Sequence, residues 1–78
     1  MRENYREKYR ILGLKIAYFR KLRGLTQEQF AEEIGRSVSF VGQIEANNAA
    51  AVKGISLETL FTVSEKLGVP VSKLFEDI

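Results

Sequence analysis

Apolar residues recur at spacings of three and four along nearly the whole chain, and glycines cut that pattern into short pieces. Tyr5, Tyr9, Leu12, Ile16, Phe19 and Leu22 form one such stripe, the signature of an amphipathic helix. It predicts a first helix over about residues 5–23, stopped at Gly24 because glycine accepts the left-handed conformation of a C-terminal cap. Thr26 to Gln29 reads as a capping box opening a second helix, with Phe30, Ala31 and Ile34 inward and Gly35 at its end. Ser37 caps a third helix over about 38–45 with Val41 and Ile44 inward. Two short helices joined by so brief a glycine turn must cross at a large angle. Residues 46–55 read as a loop. Ser56 then caps a fourth helix with Leu57, Leu60, Phe61, Val63 and Leu67 at core spacing, ended by Gly68. Pro70 starts a short fifth helix through about Glu76, since proline is tolerated in a first turn. No strand pattern competes, so the expected fold is all-α, five short helices in one compact domain with a central helix–turn–helix.

Composition narrows what such a domain does. A chain of 78 residues holds one domain. Cysteine and histidine are both absent, which excludes disulfide staples, thiolate chemistry, His-based catalysis and zinc sites of the usual ligand type. Glu32 and Glu33 diverge on a helix, and Glu28 and Glu32 share an exposed face, so neither pair makes an acid–base site. There is no nucleophile-plus-base set and no phosphate-cradling glycine loop. No enzyme is expected, and no cofactor, metal or small-molecule ligand. No apolar run approaches the roughly 18 residues of a membrane span, and the charged start does not lead into a signal-peptide core. A cytoplasmic domain without a membrane partner is the expectation.

Charge is unevenly spread. Residues 1–24 hold eight of the 12 Lys and Arg but only two of the 10 Asp and Glu, for a local charge of +6 that leaves −4 for the rest. A polyanion partner fits this asymmetry, as does a solvated helix face. The helix–turn–helix at 26–47 is the stronger sign, because a DNA major groove admits one α-helix and shows a distinct pattern for each base pair. Ser37, Ser39 and Gln43, with Val38 and Phe40 beside them, lie on or near the third helix. Gln43 can bind adenine bidentately, a serine hydroxyl serves several bases, and Val38 can contact a thymine methyl. Thr26 and Gln27 stand where a helix N-terminus meets a phosphate. On these residues alone two readings stand, a DNA-binding domain and a helical protein-interaction module.

The segment Leu12-Gly13-x-Lys15-Ile16, Arg20, Gly24 to Ala31, Gly35, Ser37, Val41, Ile44 and Glu45 resembles the lambdoid phage repressor and Cro family. This is the XRE family of helix–turn–helix transcriptional regulators. Ser56 to Leu60 and Leu67 to Pro70 continue the likeness, which covers about residues 11–76. The resemblance implies a lambda-repressor-like DNA-binding domain over 11–78. The Tyr5–Tyr9–Leu12 stripe continues the helix period, so 1–10 read as a basic extension of the first helix, the other reading being an arm along the DNA backbone. It implies phosphate contact at Gln27, base or flanking-phosphate contact at Ser37, Val38, Ser39 and Gln43, and a sheltered ion pair between Arg20 and Glu45. Arg36, in the turn, joins Thr26 and Gln27 among the expected phosphate contacts.

Departures from the family pattern leave several positions open. Phe40 is large for a groove-facing place and either meets DNA or packs into the domain. Gly42 costs about 1 kcal/mol relative to alanine in mid-helix, and either allows close approach to DNA or to the second helix or has no role. The long 46–55 loop brings Asn47, Asn48 and Lys53, which either contact phosphates or belong to a plain solvated loop. One small helix offers few base contacts, and two-fold pairing doubles them on a palindromic site. Val71, Leu74, Phe75 and Ile78 are more apolar positions than a short terminal helix easily buries, so they form the expected homodimer interface; the other reading completes the monomer core with them. The function expected is sequence-specific binding of double-stranded DNA by a dimeric regulator, a repressor or a controller. Nothing follows the fifth helix, so control by concentration, dimerisation or a partner is expected.

Overall fold

The computed structural model describes residues 3–46 and 55–76. Among these residues four α-helices follow one another, α1 (Glu3–Leu22), α2 (Gln27–Ile34), α3 (Val38–Glu45) and α4 (Leu57–Leu67), and a 3-10 turn covers Val71–Leu74. The helix starts lie where the capping residues place them. Thr26 Oγ1 accepts the Gln29 N–H at 3.0 Å while Gln29 Oε1 accepts the Thr26 N–H at 2.9 Å, satisfying two otherwise orphaned donors reciprocally. Ser37 and Ser56 each accept a backbone N–H at 3.1 Å, from Phe40 and Thr59. Gly35 and Gly68 close α2 and α4 in the left-handed conformation.

α1 runs unbroken from Glu3 through the basic segment. Within it Arg10 hydrogen bonds Glu7, and that bond holds the Glu7 carboxyl below its ordinary range. Leu12 and Ile16 of α1, Phe30, Ala31 and Ile34 of α2, Val41 and Ile44 of α3, and Leu60, Val63 and Leu67 of α4 share one core with Leu74.

Three expectations are corrected. The fifth helix from Pro70 to about Glu76 is only the 3-10 turn Val71–Leu74, so the described residues hold four α-helices. Pro70 itself is extended, and its carbonyl accepts the Lys73 N–H at 3.0 Å. A 3-10 turn aligns positions three apart, which sets Val71 against the core and Leu74 fully inside it. Leu57 and Phe61 leave the core and are 69% and 56% exposed. At 100° per residue they lie well to one side of the Leu60–Val63–Leu67 stripe. Leu22, at the last turn of α1, is likewise exposed.

One close contact fixes the arrangement of α1 and α3. Gly13 lies in the interior of α1, and a β-carbon there would overlap the Ile44 carbonyl oxygen. Only a bare backbone lets the two helices approach this closely. Gly13→Ala is expected to destabilise the domain by about 1–3 kcal/mol, although alanine is the better helix former. Urea unfolding of the variant checks this, and unchanged or raised stability would refute the close approach.

Candidate nucleic-acid interface

α3 has two sides with different chemistry. Val41, Ile44 and Glu45 face inward and are buried, while Ser37, Val38, Ser39 and Gln43 are exposed. The 100° step between residues puts Ser39 and Gln43 opposite the buried set, and Val38 at its exposed edge near Glu45. The outward face therefore carries two hydroxyls, one primary amide and one short branched apolar side chain. Such groups reach a neighbouring surface without long side chains standing between it and the helix backbone.

The inward side is fastened by a buried ion pair. Arg20 Nε donates to Glu45 Oε2 at 2.8 Å and Arg20 Nη2 to Glu45 Oε1 at 3.0 Å, a bidentate fork of the kind guanidinium and carboxylate form best. The two side chains are 8% and 4% exposed. Arg20 Nη1 also donates to the Leu25 carbonyl at 2.7 Å, satisfying the peptide just before α2. Gln27, the first residue of α2, donates through Nε2 to Glu45 Oε1 at 3.0 Å. One carboxylate thus joins the end of α1, the start of α2 and the end of α3. The Gln27 amide nitrogen keeps a second N–H, so the bond to Glu45 orients the side chain and leaves it a donor.

Thr26 is exposed and stands at the same end of α2. Its oxygen is engaged as the cap, and its hydroxyl proton remains available to donate. Arg36 is held in a different way. Its Nη2 donates to Thr59 Oγ1 at 2.8 Å, and its guanidinium carbon lies 4.7 Å from the centroid of the Phe40 ring. Thr59 in turn accepts from Ser56 Oγ at 2.9 Å. The turn between α2 and α3 is thereby tied to the first turn of α4. Sequence reasoning gave no hint of the Arg36–Thr59 bond, because it joins residues 23 apart whose types are ordinary for exposed positions.

Phe40 packs against the core beneath Arg36, which resolves its two readings in favour of packing. Gly42 is not in close contact with α2, since a β-carbon there would meet nothing within 4 Å. Asn47, Asn48, Lys53 and Ile78 lie outside the described residues. Of the apolar residues near the C-terminus, Leu74 is wholly buried in its own chain, Val71 is half-buried against the same core, and Phe75 is 58% exposed. Among the described residues no cluster of His, Cys, Asp or Glu is placed to hold a metal, and no helix is long and apolar enough to cross a membrane.

Residues 16–74 match the helix–turn–helix family profile. The uncharacterized HTH-type transcriptional regulator YazB of Bacillus subtilis is 41% identical over 63 residues, covering 77% of this chain and 91% of that protein. The propionyl-CoA carboxylase regulator of Cereibacter sphaeroides is 34% identical over 62 residues, 80% of this chain but only 13% of that much longer protein. Among solved structures, the restriction-modification controller protein C.AhdI of Aeromonas hydrophila superposes with a TM-score of 0.78 at 25% identity. That superposition covers 88% of this chain and 98% of the controller.

The clamp generates its own test. Glu45→Ala leaves the buried Arg20 guanidinium without its counter-charge and is expected to cost about 3–5 kcal/mol. Arg20→Met combined with Glu45→Leu strands no charge and should recover much of that loss. Denaturant unfolding of the two variants decides it, and equal losses in both would count against a charge-desolvation cause.

Proposed function

The chain belongs to the helix–turn–helix family of DNA-binding transcriptional regulators, and from that premise we propose that it binds a palindromic operator as a homodimer with α3 in the major groove. The observation that carries this reading is the two-sided character of α3. Its inner side is clamped by Arg20, Glu45 and Gln27, while its outer side is short, polar and exposed. A B-DNA major groove about 12 Å wide accepts such a helix.

In this reading Gln43 takes an adenine through its amide, Ser37 and Ser39 donate to or accept from base edges or flanking phosphates, and Val38 meets a thymine methyl. Thr26 and Gln27 hold a phosphate at the N-terminus of α2, where the helix dipole favours an anion. Arg36 keeps guanidinium N–H groups for a phosphate while its other contacts fix the turn. Asn47, Asn48 and Lys53 complete the phosphate contacts. The protein acts by binding, in the cytoplasm, as a repressor or as a controller like the structurally similar restriction-modification controller protein.

The dimer surface is the apolar end of the domain. A cleft of about 400 Å³ lies between Tyr5 and Tyr9 of α1, Leu57 and Leu60 of α4, and Phe75. Phe75 and Leu57 are the most exposed of these, and Val71 and Ile78, the latter outside the described residues, are the other proposed interface residues. Leu74 supports this surface from the core beneath it. Two-fold pairing here doubles the base contacts that one short helix can make.

Selection of bound sequences from a random duplex library tests the reading. A palindrome with half-sites about one helical turn apart is the expected product. Affinity should fall with salt, each neutralised phosphate adding about −0.9 to the log–log slope. No enrichment by folded protein at low salt would sink the proposal. Gln43→Ala should weaken the selected site by about 1–3 kcal/mol and relax one base position, whereas Gln27→Ala should weaken all sequences about equally. Phe75→Asp should shift sedimentation towards monomer while the helical content stays; a dimer unchanged by it would place the interface elsewhere.

A further inference from the structure

The glycines among the described residues divide by what holds each of them. Gly24, Gly35 and Gly68 have positive φ, and Gly13 lies against the Ile44 carbonyl. Gly42 has neither reason. It is not among the residues of positive φ, it lies within α3, and a β-carbon built on it would meet nothing within 4 Å. Glycine in a helix interior lowers the folding equilibrium about five-fold relative to alanine. Neither backbone conformation nor crowding of a β-carbon in the free chain calls for glycine here.

Its place on the helix shows what the missing side chain leaves room for. At 100° per residue, half-buried Gly42 falls on the flank of α3, between the buried side and the exposed one. On one flank it has Gln43 and Ser39, the exposed polar pair. On the other it has Val38 and, beyond it, Glu45, whose carboxylate carries the Gln27 amide. Gly42 therefore marks the boundary between the face that would read bases and the side that would hold a phosphate. An α-helix with its side chains is about 10–12 Å across, against a groove about 12 Å wide. At that fit a single methyl on the flank sets how deep the helix sits.

We infer that Gly42 is the close-approach point of α3, where its bare backbone lies against the sugar–phosphate wall of the major groove and lets the side chains of Ser39 and Gln43 reach the bases. This rests on the DNA-binding reading given above and adds a positioning residue to it. A side chain at position 42 holds the whole helix off the DNA. It lengthens every base and phosphate hydrogen bond together, and those bonds fade beyond about 3.5 Å.

The test uses the full chain and Gly42→Ala, with thermal unfolding and DNA binding measured on the same sample. The free protein should gain stability, with Tm raised by about 4–8 °C, while affinity falls by roughly ten-fold or more. That loss should be about even across the selected site and its single-base variants. Gly42→Leu, whose β-carbon would meet nothing within 4 Å in the free chain, should remain folded and lose binding further. Raised Tm with affinity unchanged in both variants would overturn the inference. So would a lowered Tm for Gly42→Ala, which would place the need for glycine inside the fold. A loss confined to one base position would overturn the assignment to the groove wall, since the added methyl would then be meeting a base. Failure of the unmodified protein to bind any duplex is a separate result, and it removes the DNA reading together with this one.

Discussion

A single carboxylate, that of Glu45, holds three helices in register. It accepts two bonds from Arg20 at the end of α1 and one from Gln27 at the start of α2, and it sits on the last residue of α3. Burying an ion pair is costly, and a buried pair is seldom a large net source of stability. What it supplies here is direction. Apolar packing among Phe30, Val41 and Ile44 brings α2 and α3 together, but such contact tolerates sliding and rotation. A bidentate fork with a third donor on the same oxygen tolerates little of either. The outward face of α3 is set because its inward face is pinned at this point.

The approach of α1 to α3 depends on Gly13 in a complementary way. The clamp needs Arg20 and Glu45 within hydrogen-bond reach, and the missing side chain at Gly13 allows the two backbones to come that close. The Arg36–Thr59 bond and the stack on Phe40 add a second tie, from the turn to α4. α3 is thus held at its start by the turn and at its end by the clamp. Between these two ties Val41 packs into the core, and the space that a Gly42 β-carbon would occupy is open.

Much of this was legible beforehand, and the legible parts share a cause. Helix starts at Thr26, Ser37 and Ser56, and helix ends at Gly35 and Gly68, follow from capping chemistry confined to a few neighbouring residues. The inward set of α3 follows from spacing. Where expectation and structure part, the deciding contact is distant in sequence. Leu57 and Phe61 have core-like residue types, yet α4 rests on the core along the Leu60–Val63–Leu67 line, and that rotation is chosen by the other helices. Leu74 and Phe75 are adjacent apolar residues, one buried and one exposed, because the 3-10 turn after Pro70 aims only Leu74 inward.

The sequence by itself determined the helices, their caps, the brief glycine turn that makes α2 and α3 cross, and the absence of any thiol or imidazole chemistry. These are local or compositional properties, set by hydrogen bonds within one turn and by which side chains exist at all. The resemblance in its motifs also named Arg20 and Glu45 as partners. Only the tertiary structure decided that Gln27 shares their carboxylate, that Arg36 is held by Thr59 and Phe40, and that Gly13 is compelled by a neighbouring carbonyl while Gly42 is not. Each of these depends on the distance between atoms on different helices. That distance is fixed by packing the whole core at once, and no window of residues along the chain contains it.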